Sequence, residues 1–277
     1  MQAVLVTGAS TGIGYATAAM LARSGFVVFA GCRKETDAQR MSGVHRGIRP
    51  LIVDVRNADQ IAEAARAVEA SGIPLHGIVN NAGIAVAGPL EYLPVDELRR
   101  QFEVNVFGAI AVTQAFLPQL RAARGRIVFV SSVSGTLAPP YLGPYAASKF
   151  ALEAIADSLR MELAAFGIAV SVVQPGNVKT PIWAKGRAAK DELVARLPAE
   201  AQHHYGAAID ALVRVTEREE RSGIEADAVA EVILKALTAA KPKARYSVGS
   251  PAGWMRRIAS LLPETHRDRL IMKNFRR

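Results

Sequence analysis

Short apolar runs alternate along this chain with longer stretches in which apolar residues recur every three or four positions. The runs at 2–6, 26–30, 51–55, 75–79, 127–130, 168–174 and 244–249 have the length and composition of buried strands. Between them, residues 16–24 read as a helix closed by Gly25, and 58–70 as one with Ile61, Ala65 and Val68 on one face. Residues 94–120, 145–166 and 226–239 carry the same periodicity, and 183–222 is charged and helical, with Tyr205, Ile209, Leu212 and Val213 at helix spacing. Regular alternation of strand and helix predicts an α/β fold with a doubly wound, mainly parallel seven-stranded sheet and crossovers of one hand. Strands made of small and apolar residues, such as 75–79, suit a sheet covered by helices on both faces.

At 277 residues, half of them hydrophobic, the chain is long enough for one large α/β domain. No linker, repeat or low-complexity tract divides it, so the expectation is one domain over 1–250 followed by a tail over 251–277. The net charge of +9 changes this picture only at the end. Residues 241–277 hold ten Lys or Arg against Glu264 and Asp268, which leaves a net +1 on the first 240. The body is balanced, which argues against a nucleic-acid partner. Cys32 is the only cysteine, so no intrachain disulfide is possible. With a strand starting at residue 2 and no apolar run near ~20 residues, the expected location is cytoplasmic.

Two stretches carry chemistry. In the first, a strand leads straight into Thr7-Gly8-Ala9-Ser10-Thr11-Gly12-Ile13-Gly14 and then a helix. That context lets backbone N–H groups and a helix N-terminus face a phosphate. In the second, Ser132 ends a strand and Tyr145 and Lys149 follow four apart, on one face of a helix. A phenol has a pKa near ~10, and an adjacent ammonium favours its ionised form. Moving it to about 7 needs ~3 units, roughly 4 kcal/mol of differential interaction. His203 and His204 are adjacent, so on a helix their rings diverge; no metal site is expected.

Five ordered motifs together resemble the short-chain dehydrogenase/reductase family: the glycine loop, Asn80-Asn81-Ala82-Gly83, Asn105 within Val104–Gly108, the Ser132/Tyr145/Lys149 trio, and Pro175-Gly176-x-x-x-Thr180. The resemblance spans about residues 4–180, with steroid/retinol-dehydrogenase-like and carbonyl-reductase members as the similar branches. It implies a Rossmann-type domain that transfers hydride between NAD(P) and an alcohol or carbonyl. Its catalytic residues would be Asn105, Ser132, Tyr145 and Lys149, with Asn105 bending its helix and holding a water that relays protons towards Lys149. Cofactor contacts would come from Gly8, Ser10, Thr11, Gly12, Ile13, Gly14, Asp54, Val55, Asn81, Ala82, Gly83, Tyr145, Lys149, Pro175, Gly176, Val178 and Thr180. The helices at 94–120 and 145–166 would pair into a homodimer or homotetramer, and 181–222 would form a lid over the substrate.

Cofactor choice is read at the end of the second strand. An acid there accepts from the adenosine 2′-OH and selects NAD, whereas an Arg accommodates a 2′-phosphate. Cys32 is followed by Arg33 and Lys34, the pattern expected for NADP(H), with NAD(H) as the alternative. Ile84, Val86, Leu137, Pro139, Pro140, Tyr141, Leu142 and Trp183 are the expected substrate walls, apolar enough for a hydrophobic carbonyl. Two other readings stay open: an NAD-dependent steroid or retinol dehydrogenase, and a regulatory protein that binds dinucleotide without turnover. In the tail, Trp254, Met255, Ile258, Leu261 and Leu262 fall at helical spacing beside Arg256 and Arg257. That stripe suits packing on the protein or peripheral contact with an anionic membrane.

Overall fold

The computed structural model describes residues 1–182, 184, 198–249 and 262–273. Seven strands form one sheet: β1 (Ala3–Val6), β2 (Val27–Cys32), β3 (Ile48–Ile52), β4 (Leu75–Asn80), β5 (Arg126–Val130), β6 (Ala169–Pro175) and β7 (Arg245–Val248). Their order is β3-β2-β1-β4-β5-β6-β7, and every pairing is parallel. Sequence order reverses between β1 and β4, which opens a crevice at the carboxyl ends of those two strands.

Helices cover both faces. Against one lie α1 (Gly12–Arg23), α2 (Glu35–Ser42) and the helix at Ala226–Thr238, packed on a core that includes Val4, Leu21, Met41, Val128 and Ile233. Against the other lie α3 (Ala58–Ala70), α4 (Val95–Phe102), α5 (Gly108–Ala123) and α6 (Gly143–Glu162), around Leu5, Phe29, Phe116, Phe129 and Leu152. The long helix α7 (Ala199–Ser222) precedes α8 (Ala226–Thr238), and α9 (Glu264–Lys273) is the last described element. Trp183 and most of the tail stripe, from Trp254 to Leu261, lie outside the described residues. No helix among the described residues is long and apolar enough to cross a membrane.

The sheet is parallel throughout, where the pattern predicted mainly parallel. Three stretches also differ from the pattern in more than their end residues. The third strand sits at Ile48–Ile52, not 51–55, because β2 pairs Val28 with Ile48 and Cys32 with Ile52. The chain leaves the ladder at Val53, whose N–H still reaches the Cys32 carbonyl at 2.7 Å, and turns to present Asp54 and Val55 at the crevice. The short helix α2 is absent from the apolar pattern because only Ala38 and Met41 of its eight residues are buried. The stretch at 94–120 is three pieces: α4 and α5 are separated by a π-helical turn at Glu103–Phe107, where Asn105 and Val106 are buried. One extra residue per turn shifts the side chains on either side, so that Asn105 points inward.

Close approach decides two glycines. A Cβ on Gly14 would lie 2.2 Å from the Gly8 carbonyl oxygen and 2.5 Å from Asn81 Nδ2. One on Gly108 would meet Val55 Cγ2 at 2.6 Å. Only glycine lets α1 start against its own loop, and lets α5 press on the turn that follows β3.

Candidate active site

Most of the residues singled out by motif come together at the carboxyl edge of the sheet in a cleft of about 370 Å³. Its walls include Gly8, Ser10, Thr11, Gly12 and Ile13 from the glycine loop, and Arg33, Asp54 and Val55 from the ends of β2 and β3. Asn81, Ala82, Gly83 and Ile84 follow β4, while Ser132, Tyr145 and Lys149 stand opposite. Pro175, Gly176, Val178 and Thr180 complete the rim.

Hydrogen bonds between the ends of β1 and β4 shape the glycine loop. Asn81 Nδ2 donates to the Thr7 and Gly8 carbonyls at 3.0 and 3.2 Å. The Thr7 hydroxyl oxygen accepts from the N–H groups of Asn81 and Ala82 at 3.0 and 3.1 Å. Gly8 and Gly12 take φ of +63° and +56°, left-handed values that cost a side chain free energy. An added Cβ would press on Ala82 Cα at 2.9 Å from Gly8, and on Thr180 Cγ2 at 3.1 Å from Gly12. The residues present therefore fit a dinucleotide: a loop without side chains at Gly8, Gly12 and Gly14, ahead of a helix N-terminus, with the cation Arg33 at the end of β2. Asp54 is held by Arg56 through contacts of 3.0 and 2.6 Å, and that partner keeps its carboxyl below the usual carboxylate range, with Arg33 adding to the effect. Lys34 is an exposed residue at the start of α2 and does not line the cleft. Gly14 acts from below, by its close packing on Gly8.

Tyr145 and Lys149 occupy successive turns of α6 and are buried, 6% exposed each. Pro144 in the first turn pre-sets the backbone that launches this helix from its loop. Ser132 ends the strand in extended conformation; its Oγ accepts from Ser134 N at 3.1 Å and it hydrogen-bonds the Tyr145 side chain. Lys149 Nζ lies 5.7 Å from the centre of the Tyr145 ring and donates to the Val130 carbonyl at 2.8 Å. The titration differs from the pattern-based expectation. Burial pushes the Tyr145 phenol up, with the Ser132 hydrogen bond pulling the other way, because a phenolate here would lose its water. Burial also lowers Lys149 to about 8, with Glu153 opposing that fall.

Asn105 is buried, but its amide does not open into the cleft. Its Oδ1 accepts from Ile84 N at 2.9 Å, and its Nδ2 donates to the Ile84 carbonyl at 3.1 Å and to Ser148 Oγ at 3.1 Å. The side chain thus ties the π-helical turn to the loop after β4 and to α6. Of the expected substrate walls, Ile84 lines the cleft. Val86 and Leu142 are core residues, at 4% and 6% exposure, and Val86 N is taken by Gln101 Oε1. Leu137, Pro139 and Pro140 are half-buried outside it, and Tyr141, at φ +65°, stacks edge-on against Tyr205 of α7. Arg100, Val104, Ala85, Pro181 and Ile182 also line the cleft, and motif reading missed them. Val104 precedes Asn105 and Ala85 follows Ile84, so adjacency was the available signal.

Residues 2–191 match the family model for short chain dehydrogenase. The chain belongs to the short chain dehydrogenase family. It is an oxidoreductase of that family, acting on CH–OH with NAD(P). It is 33% identical, over its whole length and 98% of the relative's, to an NADPH-dependent 3-dehydrocapnine reductase of Ornithobacterium rhinotracheale. It is 39% identical to retinol dehydrogenase 5 of Mus musculus, covering 94% of this chain and 84% of that one. Among solved structures, a short chain dehydrogenase/reductase from Burkholderia phymatum in complex with NAD aligns at a TM-score of 0.82 and 26% identity, over 96% of this chain and 95% of that one.

The buried Lys149 makes a prediction about the cofactor-free protein. With its folded pKa lowered from 10.5 to about 8, the unfolded chain binds more protons across that window, so stability rises with pH between about 8 and 10.5. Below pH 8 the buried ammonium costs on the order of 3 kcal/mol. Lys149→Met should therefore be more stable than wild type at pH 7, with the gap closing towards pH 10.5 in urea titrations. Parallel pH curves for the two proteins would refute this account.

Proposed function

We propose that the protein interconverts an alcohol and a ketone or aldehyde with NADP(H), on a hydrophobic substrate, with Tyr145 as general acid and base. The observation that carries this reading is the shared cleft: Ser132, Tyr145 and Lys149 face the same space as the glycine loop and Arg33. Bound NADP(H) supplies or accepts the hydride at its nicotinamide ring. The protein's part is to hold the reacting oxygen and to manage its proton. Ser132 hydrogen-bonds that oxygen, and Tyr145 donates its phenolic proton as negative charge develops there. Burial keeps Tyr145 protonated at neutral pH, which suits reduction. The Lys149 ammonium stabilises the phenolate left behind, and its remaining N–H donors hold the ribose hydroxyls. Asn105 keeps the loop at Ile84 and the helix carrying Tyr145 in register, and a proton relay passes by its turn.

Arg33 at the cleft wall favours a 2′-phosphate, and an NADPH-dependent relative agrees. Ile84, Ala85, Val104 and Ile182 on the walls favour an apolar substrate. Phe107 and Phe150, 54% and 44% exposed on the helical stretches read as a dimer face, support self-association. Sedimentation velocity should show a dimer or tetramer that Phe107→Glu shifts to monomer; a monomeric wild type would refute it.

Tyr145→Phe should reduce turnover by about 10³-fold while NADPH still binds, since the ring is kept and only the proton donor is lost. Near-normal turnover of aliphatic and aromatic ketones, followed at the reduced nicotinamide band, would sink the mechanism. Arg33→Ala should weaken NADPH binding at least about tenfold and leave NADH nearly unchanged, because one charge-assisted contact is removed. A wild-type protein that prefers NADH would show the cofactor reading to be wrong.

A further inference from the structure

Among the described residues, only two acidic or basic side chains are fully buried: Lys149 at 6% and Glu153 at 7%. They have opposite sign and stand four apart on α6, which puts them on one face of the helix. Glu153 has no place in the reaction as described above, yet it is held with care. Its Oε1 accepts from Gln174 Nε2 of β6 at 3.0 Å, and its Oε2 accepts from Arg245 Nε of β7 at 2.9 Å. Arg245 turns its other two nitrogens to Asp157, at 3.0 and 2.6 Å, so its charge is shared with a second carboxylate. The stem of Glu153 lies under the turn that follows Ser132: a Cβ on Gly135 would sit 3.1 Å from Glu153 Cγ and 3.2 Å from the Lys149 carbonyl oxygen.

Such an arrangement does more than anchor β7. Removing a lone ammonium from water is costly unless a counter-charge is buried with it. On its own helix Lys149 is flanked by Tyr145 and Glu153. The elements packed on α6 offer it neutral groups, Ser131 and Ser132 after β5, Gln174 on β6, and Gln101 and Asn105 on α4 and the π-helical turn. Arg100 and Glu103, the charged side chains nearest to them in sequence on those elements, are not buried, and Arg100 is paired with Glu97 at 2.6 Å. Two other cations stand near this cluster: Arg245, shared between Glu153 and Asp157, and Arg160 of the same helix, which pairs with Asp157 at 2.9 Å, so that two carboxylates meet two guanidinium groups. We infer that Glu153 is a positioning residue for the reaction: braced by Gln174 and Arg245, its carboxylate is the buried counter-charge that holds the Lys149 ammonium in place beside Tyr145.

This rests on the catalytic reading of Lys149 above, and the test separates the two. The first readout needs no turnover. In cofactor-free protein, the pH window over which Lys149 changes stability is the difference between a parent and its Lys149→Met variant. In a Glu153→Gln background the lower edge of that window should move down by about one pH unit, as expected for losing an opposite charge one helical turn away. The second readout is kcat against pH: Glu153→Gln should bring the alkaline fall in kcat to lower pH by the same amount, about tenfold less turnover at pH 9. Should Glu153→Gln fail to fold, Glu153→Gln/Arg245→Met removes the partner charge as well and should give a smaller shift in the same direction, because the lost cation partly offsets the lost carboxylate. A window that stays at the wild-type pH, or a kcat lowered by one constant factor at every pH, would overturn the inference and leave Glu153 a mere anchor. Turnover that survives Tyr145→Phe would instead overturn the catalytic reading, and the stability window would still decide the question for Glu153.

Discussion

The site depends on one joint, the hydrogen bonds by which Thr7 and Asn81 fasten the end of β1 to the end of β4. These two strands are paired, but the chain beyond their ends diverges where sheet order reverses, so the helices that follow lie on opposite faces and a crevice stays open. Without the Asn81 side chain, the Thr7 and Gly8 carbonyls would lose the donor that ties both to the turn after β4. With it, the loop is held tightly enough that even one methyl group at Gly14 has no room. The space kept free by missing side chains is what makes the loop a cradle for phosphate.

A second constraint is electrostatic. Tyr145 and Lys149 are buried in the cleft wall at α6, and burial acts in opposite senses on these two titrating groups. It holds the Tyr145 phenol protonated and makes the Lys149 ammonium costly. In the reaction proposed for this site, negative charge developing on the phenol would offset the unfavourable burial of the ammonium beside it. The unfavourable free energy of that arrangement is offset elsewhere, by the ladder of seven parallel strands and by the apolar cores on both faces. The Asn105 amide adds rigidity where the π-helical turn would otherwise leave backbone slack.

The order of elements, the glycine loop and the Ser132/Tyr145/Lys149 trio were legible in the chain because each rests on local rules. Strand length, helical period and the spacing of Tyr145 and Lys149 are set by backbone geometry within a few residues. The position of β3 was not legible, since its register comes from pairing with β2, and the apolar run at 51–55 extends past the last paired residue. Helix α2 went unseen because it buries only two side chains. The substrate walls were read least well. Val86 and Leu142 are as apolar as Ile84, and only packing decides that they turn into the core while Ile84 faces the cleft.

The sequence by itself thus determined the fold class and the family, since both are carried by short-range patterns of residue type. Tertiary structure alone decided that Asn105 spends its amide on Ile84 and Ser148, and that burial raises the Tyr145 phenol. It also brought Arg245, 92 residues along the chain, to Glu153 one turn beyond Lys149. The physical reason is the same in each case. Hydrogen-bond partners and the loss of water depend on which distant segments come to lie against a side chain, and no local spacing records that.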